Sequence, residues 1–82
     1  MAKDSEQIRT VLKRELGNIA PEADLDTLDS SADIREELDI DSFDLVRYIT
    51  AVCEELGMDV PEQDYIELTT LERAETYLLK LV

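Results

Sequence analysis

Residues 38–46 read Leu38-Asp39-Ile40-Asp41-Ser42-Phe43-Asp44-Leu45-Val46. A serine between aspartates stands here at the point where a long polar connection gives way to a periodic apolar run. Val46, Ile49, Val52, Cys53 and Leu56 recur at helical spacing, while Asp44, Arg47, Tyr48, Glu54 and Glu55 fall mainly on the remaining surface. The pattern predicts a helix from near Ser42 to Gly57. A serine at such a junction is first of all a helix N-cap, a role that contributes about 1 kcal/mol. Asp41 could fill the same role.

Working outward, a first helix is expected from about Ser5 to Leu16, with Ile8, Val11, Leu12 and Leu16 on one stripe. Asp4 with Gln7 makes a capping-box start, and Gly17 suits a stop. Residues 18–41 form a long connection, broken from helix by Pro21 and pinned by Leu25, Leu28, Ile34 and Leu38. Connections of this length are uncommon in small domains and are often functional. After Pro61 a short element is expected around Glu62 to Ile66. A last helix opens with Thr69 as N-cap and Glu72 three residues on, and Leu71, Ala74, Leu78 and Leu81 repeat along it. Strand alternation is weak and no Asn-Gly or Asp-Gly hairpin occurs. The reading is an all-α four-helix bundle, three longer helices and one short, in a single domain over residues 1–82.

Composition narrows the function. The chain has 82 residues, of which 21 are acidic and 8 basic, with no histidine, for a formal net charge of −13. A surface this acidic repels phosphates, which excludes nucleic acid and disfavours anionic membranes. It favours basic partners, with salt-sensitive association. The charge is uneven. Lys3, Arg9, Lys13 and Arg14 against Asp4, Glu6 and Glu15 leave residues 1–16 at +1, whereas residues 17–72 hold 17 acidic groups against Arg35 and Arg47, a net of −15. Such a run is commonly no more than a solvated face. Without histidine there is no Ser–His or Cys–His pair and no imidazole metal site. One cysteine, Cys53, excludes an internal disulfide and reads as a small buried hydrophobe. With no apolar leader or membrane-length run, a cytoplasmic protein is expected. Calcium fails on spacing. Counting from Asp39, the sixth position is Asp44 where glycine is needed and the twelfth is Thr50 where glutamate is needed. No metal site is expected.

Asp41-Ser42-Phe43 resembles the signature of the acyl carrier proteins, an Asp-Ser-(Leu/Met/Phe) triplet opening a helix. The resemblance extends along nearly the whole chain. Asp44 follows the apolar residue, Glu54-Glu55-Leu56 matches the acidic helix end, Val60-Pro61-Glu62 the Ile-Pro-acid turn, and Thr69-Thr70-Leu71 the opening of the last helix. The resemblance implies that Ser42 carries 4′-phosphopantetheine, derived from coenzyme A and attached by a phosphopantetheinyl transferase. A serine hydroxyl with no neighbouring base is inert by itself, so Ser42 is read as a substrate and the chain as no enzyme. The arm's thiol would hold acyl groups as thioesters. Partner enzymes, acyl-transferring or synthase, would dock through basic patches on Asp41, Asp44, Glu54 and Glu55, in contacts weak enough to release. The chain would act as a monomer.

The apolar face between the second and third helices would hold the acyl chain, with Val46, Val52, Val60, Leu68, Ala74 and Tyr77 as candidates by position, each of which can equally serve ordinary core packing. Tyr65, where the family more often has a small residue, would shorten this pocket. Two departures stand out. Asp39 replaces the glycine usual before the triplet, although aspartate tolerates left-handed backbone. Arg47 replaces a usual glutamate, which weakens fit to basic partner sites or selects a partner with an acid opposite. Together with Tyr48 these point to a specialised carrier, with Arg47 as a partner-recognition residue. The lead reading is a carrier in fatty-acid or lipid-type synthesis. The alternatives are an aminoacyl or polyketide carrier, or an acidic helical adaptor with no prosthetic group.

Overall fold

The computed structural model describes residues 4–81. Helix α1 spans Ser5–Ile19. Its start is the expected capping box: Asp4 accepts from the Gln7 N–H at 2.9 Å, and the Gln7 side chain accepts from the Asp4 N–H at 3.4 Å. Gly17 does not stop the helix. A mid-helix glycine costs about 1 kcal/mol, and continuing brings Ile19 against the core. The stop falls at Ala20, whose backbone leaves the helical region at φ −128°, ψ 71°. The next residue, Pro21, disfavours α geometry in its predecessor.

The connection is ordered by its own acids. Asp24 accepts from the Asp26 N–H, and Asp29 from both the N–H and hydroxyl of Ser31. These bonds hold the Asp29 carboxyl below the usual carboxylate range. Within this stretch lies a helix the sequence reading lacked, α2, Ile34–Glu37, capped by Asp33. One apolar residue in four positions gives no periodicity to detect. Ile34 is fully buried, while Leu25, Leu28 and Leu38 pack partly against the core. Two backbone bonds stitch the connection to the last helix: Ile34 N–H to Thr69 C=O at 2.9 Å, and Glu72 N–H to Ser30 C=O at 3.0 Å.

Helix α3 spans Ser42–Leu56 and ends on Gly57 at φ 67°, the left-handed cap that glycine takes without strain. After Pro61 the chain makes a 3-10 helix, Glu62–Leu68, and then α4, Leu71–Leu79. The N-cap of α4 is Thr70, which accepts from the Arg73 N–H at 3.0 Å, and not Thr69 as the sequence suggested. Thr69 is buried, and its hydroxyl donates to the Ile66 carbonyl, closing the 3-10 helix. Because α4 ends at Leu79, Leu81 leaves the expected stripe and is exposed.

The helices α1, α3 and α4 enclose one apolar cluster that includes Leu12, Leu16, Ile49, Val52, Leu71 and Leu78. Arg9 bridges to Glu75 at 2.6 Å, which ties α1 to α4. The Ser5 hydroxyl and Arg9 together hold the Glu75 carboxyl below its ordinary range. The described residues contain helices and no strand, as an all-α bundle requires. No helix among them is long and apolar enough to cross a membrane. With most carboxylates on the surface and no described group of acids placed to hold a metal ion, the repulsion is diffuse. Sodium chloride at high concentration and magnesium at a lower one should therefore both raise the melting temperature in a thermal scan. A response flat to both would show that this repulsion does not limit stability.

Candidate functional site

The site is built on the first turn of α3. Asp41, and not Ser42, is the N-cap: its carboxylate accepts from the Asp44 N–H at 2.9 Å. Ser42 is thereby the first helical residue. It is exposed, and among the described residues its hydroxyl makes no hydrogen bond. The backbone N–H groups of Ser42 and Phe43 also lack an acceptor there, as helix starts leave them. Leading into this turn, Asp39 adopts φ 52°, so the left-handed step survives without glycine.

The recognition residues divide. Asp41 and Glu54 are exposed and Asp44 half-buried. Arg47 has 77% of its side chain exposed and lies 4.0 Å from the Asp44 carboxylate, one turn away. Such a pair contributes at most a few tenths of a kcal/mol, roughly, so both groups remain available. Glu55 is different, because Arg14 of α1 forms an ion pair with it.

The apolar candidates also divide. Val52, Val60, Leu68 and Ala74 are buried in the core and Tyr77 packs against it. Val46 is 40% exposed and stands at the edge of a groove between α1 and α3, so the expected apolar face was drawn slightly too far around the helix. Leu45 and Tyr48 take the buried places instead. Tyr48 corrects the sequence reading most sharply, since it was placed on the surface and is 0% exposed. Among the described residues its buried hydroxyl has no hydrogen-bond partner. Burial pushes its pKa well above the ordinary tyrosine value.

Around the 3-10 helix, Tyr77 donates to Asp64 at 2.6 Å, bracing that helix against α4. The bond to Asp64 is the main reason that the Tyr77 phenol is pushed up to about 12. Tyr65 packs against the core from the 3-10 helix. Cys53 is buried, and burial pushes its thiol up. The two most exposed apolar side chains were not singled out from the sequence: Phe43, 79% exposed beside Ser42, and Ile66, 61% exposed. Both stand off the apolar stripes of their elements, which is the signal that could have found them.

Residues 6–78 match the family described as a phosphopantetheine attachment site. The chain is also 34% identical over 77 residues to the acyl carrier protein of Saccharopolyspora erythraea, covering 94% of this chain and 76% of that one. The chain belongs to the acyl carrier protein family. Two further acyl carrier proteins agree. That of Bdellovibrio bacteriovorus is 27% identical over 74 residues, 90% of this chain and 88% of its own. That of Rubrobacter xylanophilus is 39% identical over 49 residues, 60% of each chain. Members of the family are carriers and not catalysts, and their prosthetic group is covalent 4′-phosphopantetheine. The first turn of α3 fits that group. An unpartnered hydroxyl and free N–H groups at the positive end of a 15-residue helix suit a serine-linked phosphodiester.

Proposed function

We propose that Ser42 is the attachment point of the prosthetic group, and that the chain is a single-domain, monomeric cytoplasmic carrier for fatty-acid or lipid-type synthesis. One observation carries the assignment of Ser42: its hydroxyl is exposed and unpartnered at the start of α3 because Asp41 performs the capping. When bound, the arm supplies a terminal thiol that holds an acyl group as a thioester. The chain's own residues do the rest. The helix end offers N–H groups to the anion, and Asp41 and Asp44 present carboxylates to the transferase and to partner enzymes. The test is incubation with coenzyme A and a broad-specificity phosphopantetheinyl transferase, followed by intact mass. Gain of one phosphopantetheine is expected. No gain under conditions that load a control carrier leaves the acidic adaptor as the reading.

Docking would use Asp41, Asp44 and Glu54 with the exposed Phe43 and Val46. Glu55 is a weaker candidate, since Arg14 already neutralises it. Cargo would shelter on the apolar side of α3, where Val52, Val60, Leu68, Ala74 and Tyr77 line or pack against the core and Val46 stands at the margin.

Arg47 would set partner choice. Its guanidinium is the one cation among the exposed acids of α3, so a fully basic partner patch meets repulsion at this point and a partner with a carboxylate opposite is favoured. Arg47→Glu should tighten binding to a general fatty-acid partner enzyme roughly 5- to 10-fold at low salt, the size of a 1–1.4 kcal/mol change. Surface plasmon resonance on the loaded protein reads it. Unchanged or weaker binding removes the support for a specialised carrier.

A further inference from the structure

Beside the first turn of α3 lies a groove of about 460 Å³ that none of the roles above uses. Its two banks are the C-terminal end of α1 with the start of the connection, and residues 37–40, which lead into α3. Ile19, Leu38 and Ile40, all half-buried, give it apolar walls. Every polar side chain along it is a carboxylate: Glu22, Glu37, Asp39 and Asp44. No arginine or lysine pairs with the first three among the described residues. Asp39 holds its place at φ 52°, so a carboxylate stands where a glycine would leave the wall bare.

Such a groove suits an occupant with apolar stretches, hydrogen-bond donors and no negative charge along its length. The pantetheine part of the prosthetic arm has this chemistry. Its methyl and methylene groups are apolar, and its hydroxyl, amide N–H groups and thiol are donors. The arm's charge lies at the phosphodiester, which the N–H groups of the α3 start accommodate. Ile40 and Asp44 line the groove and stand two residues to either side of Ser42, so the groove opens beside the anchor. We propose that this groove is the resting site of the unloaded arm, with its apolar groups against Ile19, Leu38 and Ile40 and its donors on Glu22, Glu37 and Asp39. The proposal rests on Ser42 as the attachment point and adds a state of the arm to it. Carboxylates near the thiol disfavour the thiolate, which is the reactive form, so the resting arm is chemically quiet. Acylation removes the thiol hydrogen and adds an apolar chain, and the cargo then belongs on the apolar side of α3.

The test compares the unmodified protein, the pantetheine-loaded protein and the octanoyl-loaded protein by NMR, with single loading verified by intact mass. Loading without cargo should move the methyl signals of Ile19, Leu38 and Ile40. With octanoyl those signals should return toward their unmodified positions. Alkylation of the arm thiol by iodoacetamide near neutral pH is the second readout, with the modified site mapped by peptide mass because Cys53 is also a thiol. A variant with Glu22→Gln, Glu37→Gln and Asp39→Gly should react roughly 3- to 10-fold faster than wild type, the effect of lowering a thiol pKa by about half a unit to one unit. A control with Glu6→Gln, Glu62→Gln and Glu72→Gln removes the same charge away from the groove and should react as wild type does. Groove signals that stay in place on loading overturn the proposal and leave these carboxylates to basic partners. Movement on the apolar side of α3 alone overturns it too, since the empty arm then rests where the cargo does. Equal alkylation rates in the two triple variants likewise overturn it. Absence of loading in the mass spectrum refutes attachment at Ser42 instead, and the proposal with it.

Discussion

Ser42→Ala should abolish phosphopantetheine loading and leave the melting temperature within about 2 °C of wild type. The two halves of this result have separate causes. Loading needs the hydroxyl oxygen, and alanine has none. The fold does not need it, because Ser42 is the first helical residue, exposed, with no hydrogen bond from its side chain among the described residues. Alanine is also the better helix former, by roughly half a kcal/mol. Asp41→Ala is the contrasting variant. It removes the acceptor of the Asp44 N–H and should cost about 1 kcal/mol, or roughly 4–8 °C in a domain of this size. If Ser42→Ala melts as low as Asp41→Ala, the serine is a structural cap after all. If Ser42→Ala still gains mass, the attachment lies at Ser5, Ser30 or Ser31, the other serines of the chain.

The largest loss of stability is expected from Ile34→Ala. Ile34 is 0% exposed and is the one fully buried side chain of the long connection. Truncation of a buried isoleucine costs about 2–5 kcal/mol, from lost transfer energy and the cavity left behind. A domain of this length has roughly 4–12 kcal/mol in total. The melting temperature should therefore fall by roughly 10 °C or more. The loss should also reach further than the cavity, because the Ile34 N–H bonds the Thr69 carbonyl and the Glu72 N–H bonds Ser30. Loosening this segment frees the start of α4, so hydrogen exchange at the Glu72 amide should rise with the denaturant sensitivity. A cost below about 1 kcal/mol would mean that Leu25 and Leu28 pin the connection without it.

The three long helices were legible because their apolar residues repeat at helical spacing and their starts carry side-chain caps; Asp4 with Gln7 formed as read. Errors fell where two local signals competed. Gly17 looked like a stop, but Ile19 found the core and Pro21 set the end. Thr69 and Thr70 are both able to cap, and sequence alone does not say which one the 3-10 helix claims. The placement of Ser42 at the start of α3 was legible from its motif. Its environment was less so. Tyr48 lies at the edge of the apolar stripe, and its ring could have turned to solvent or inward; packing between α1 and α3 decided for inward and carried the hydroxyl with it. The Arg14–Glu55 pair joins residues far apart in sequence, and no local pattern announces it.

The separation of Asp41 from Ser42 has a mechanical side. A residue that both closed a helix and accepted a modification would have to release one role to take up the other, and every change of chemical state would be felt along the helix axis. Here the clasp is one residue upstream of the handle. The register of α3 is set by the Asp41–Asp44 bond, which does not involve the Ser42 hydroxyl, the proposed point of attachment. On the proposed attachment, successive partners would meet the same scaffold and would tell one stage of the carrier's cycle from another by the arm and its burden.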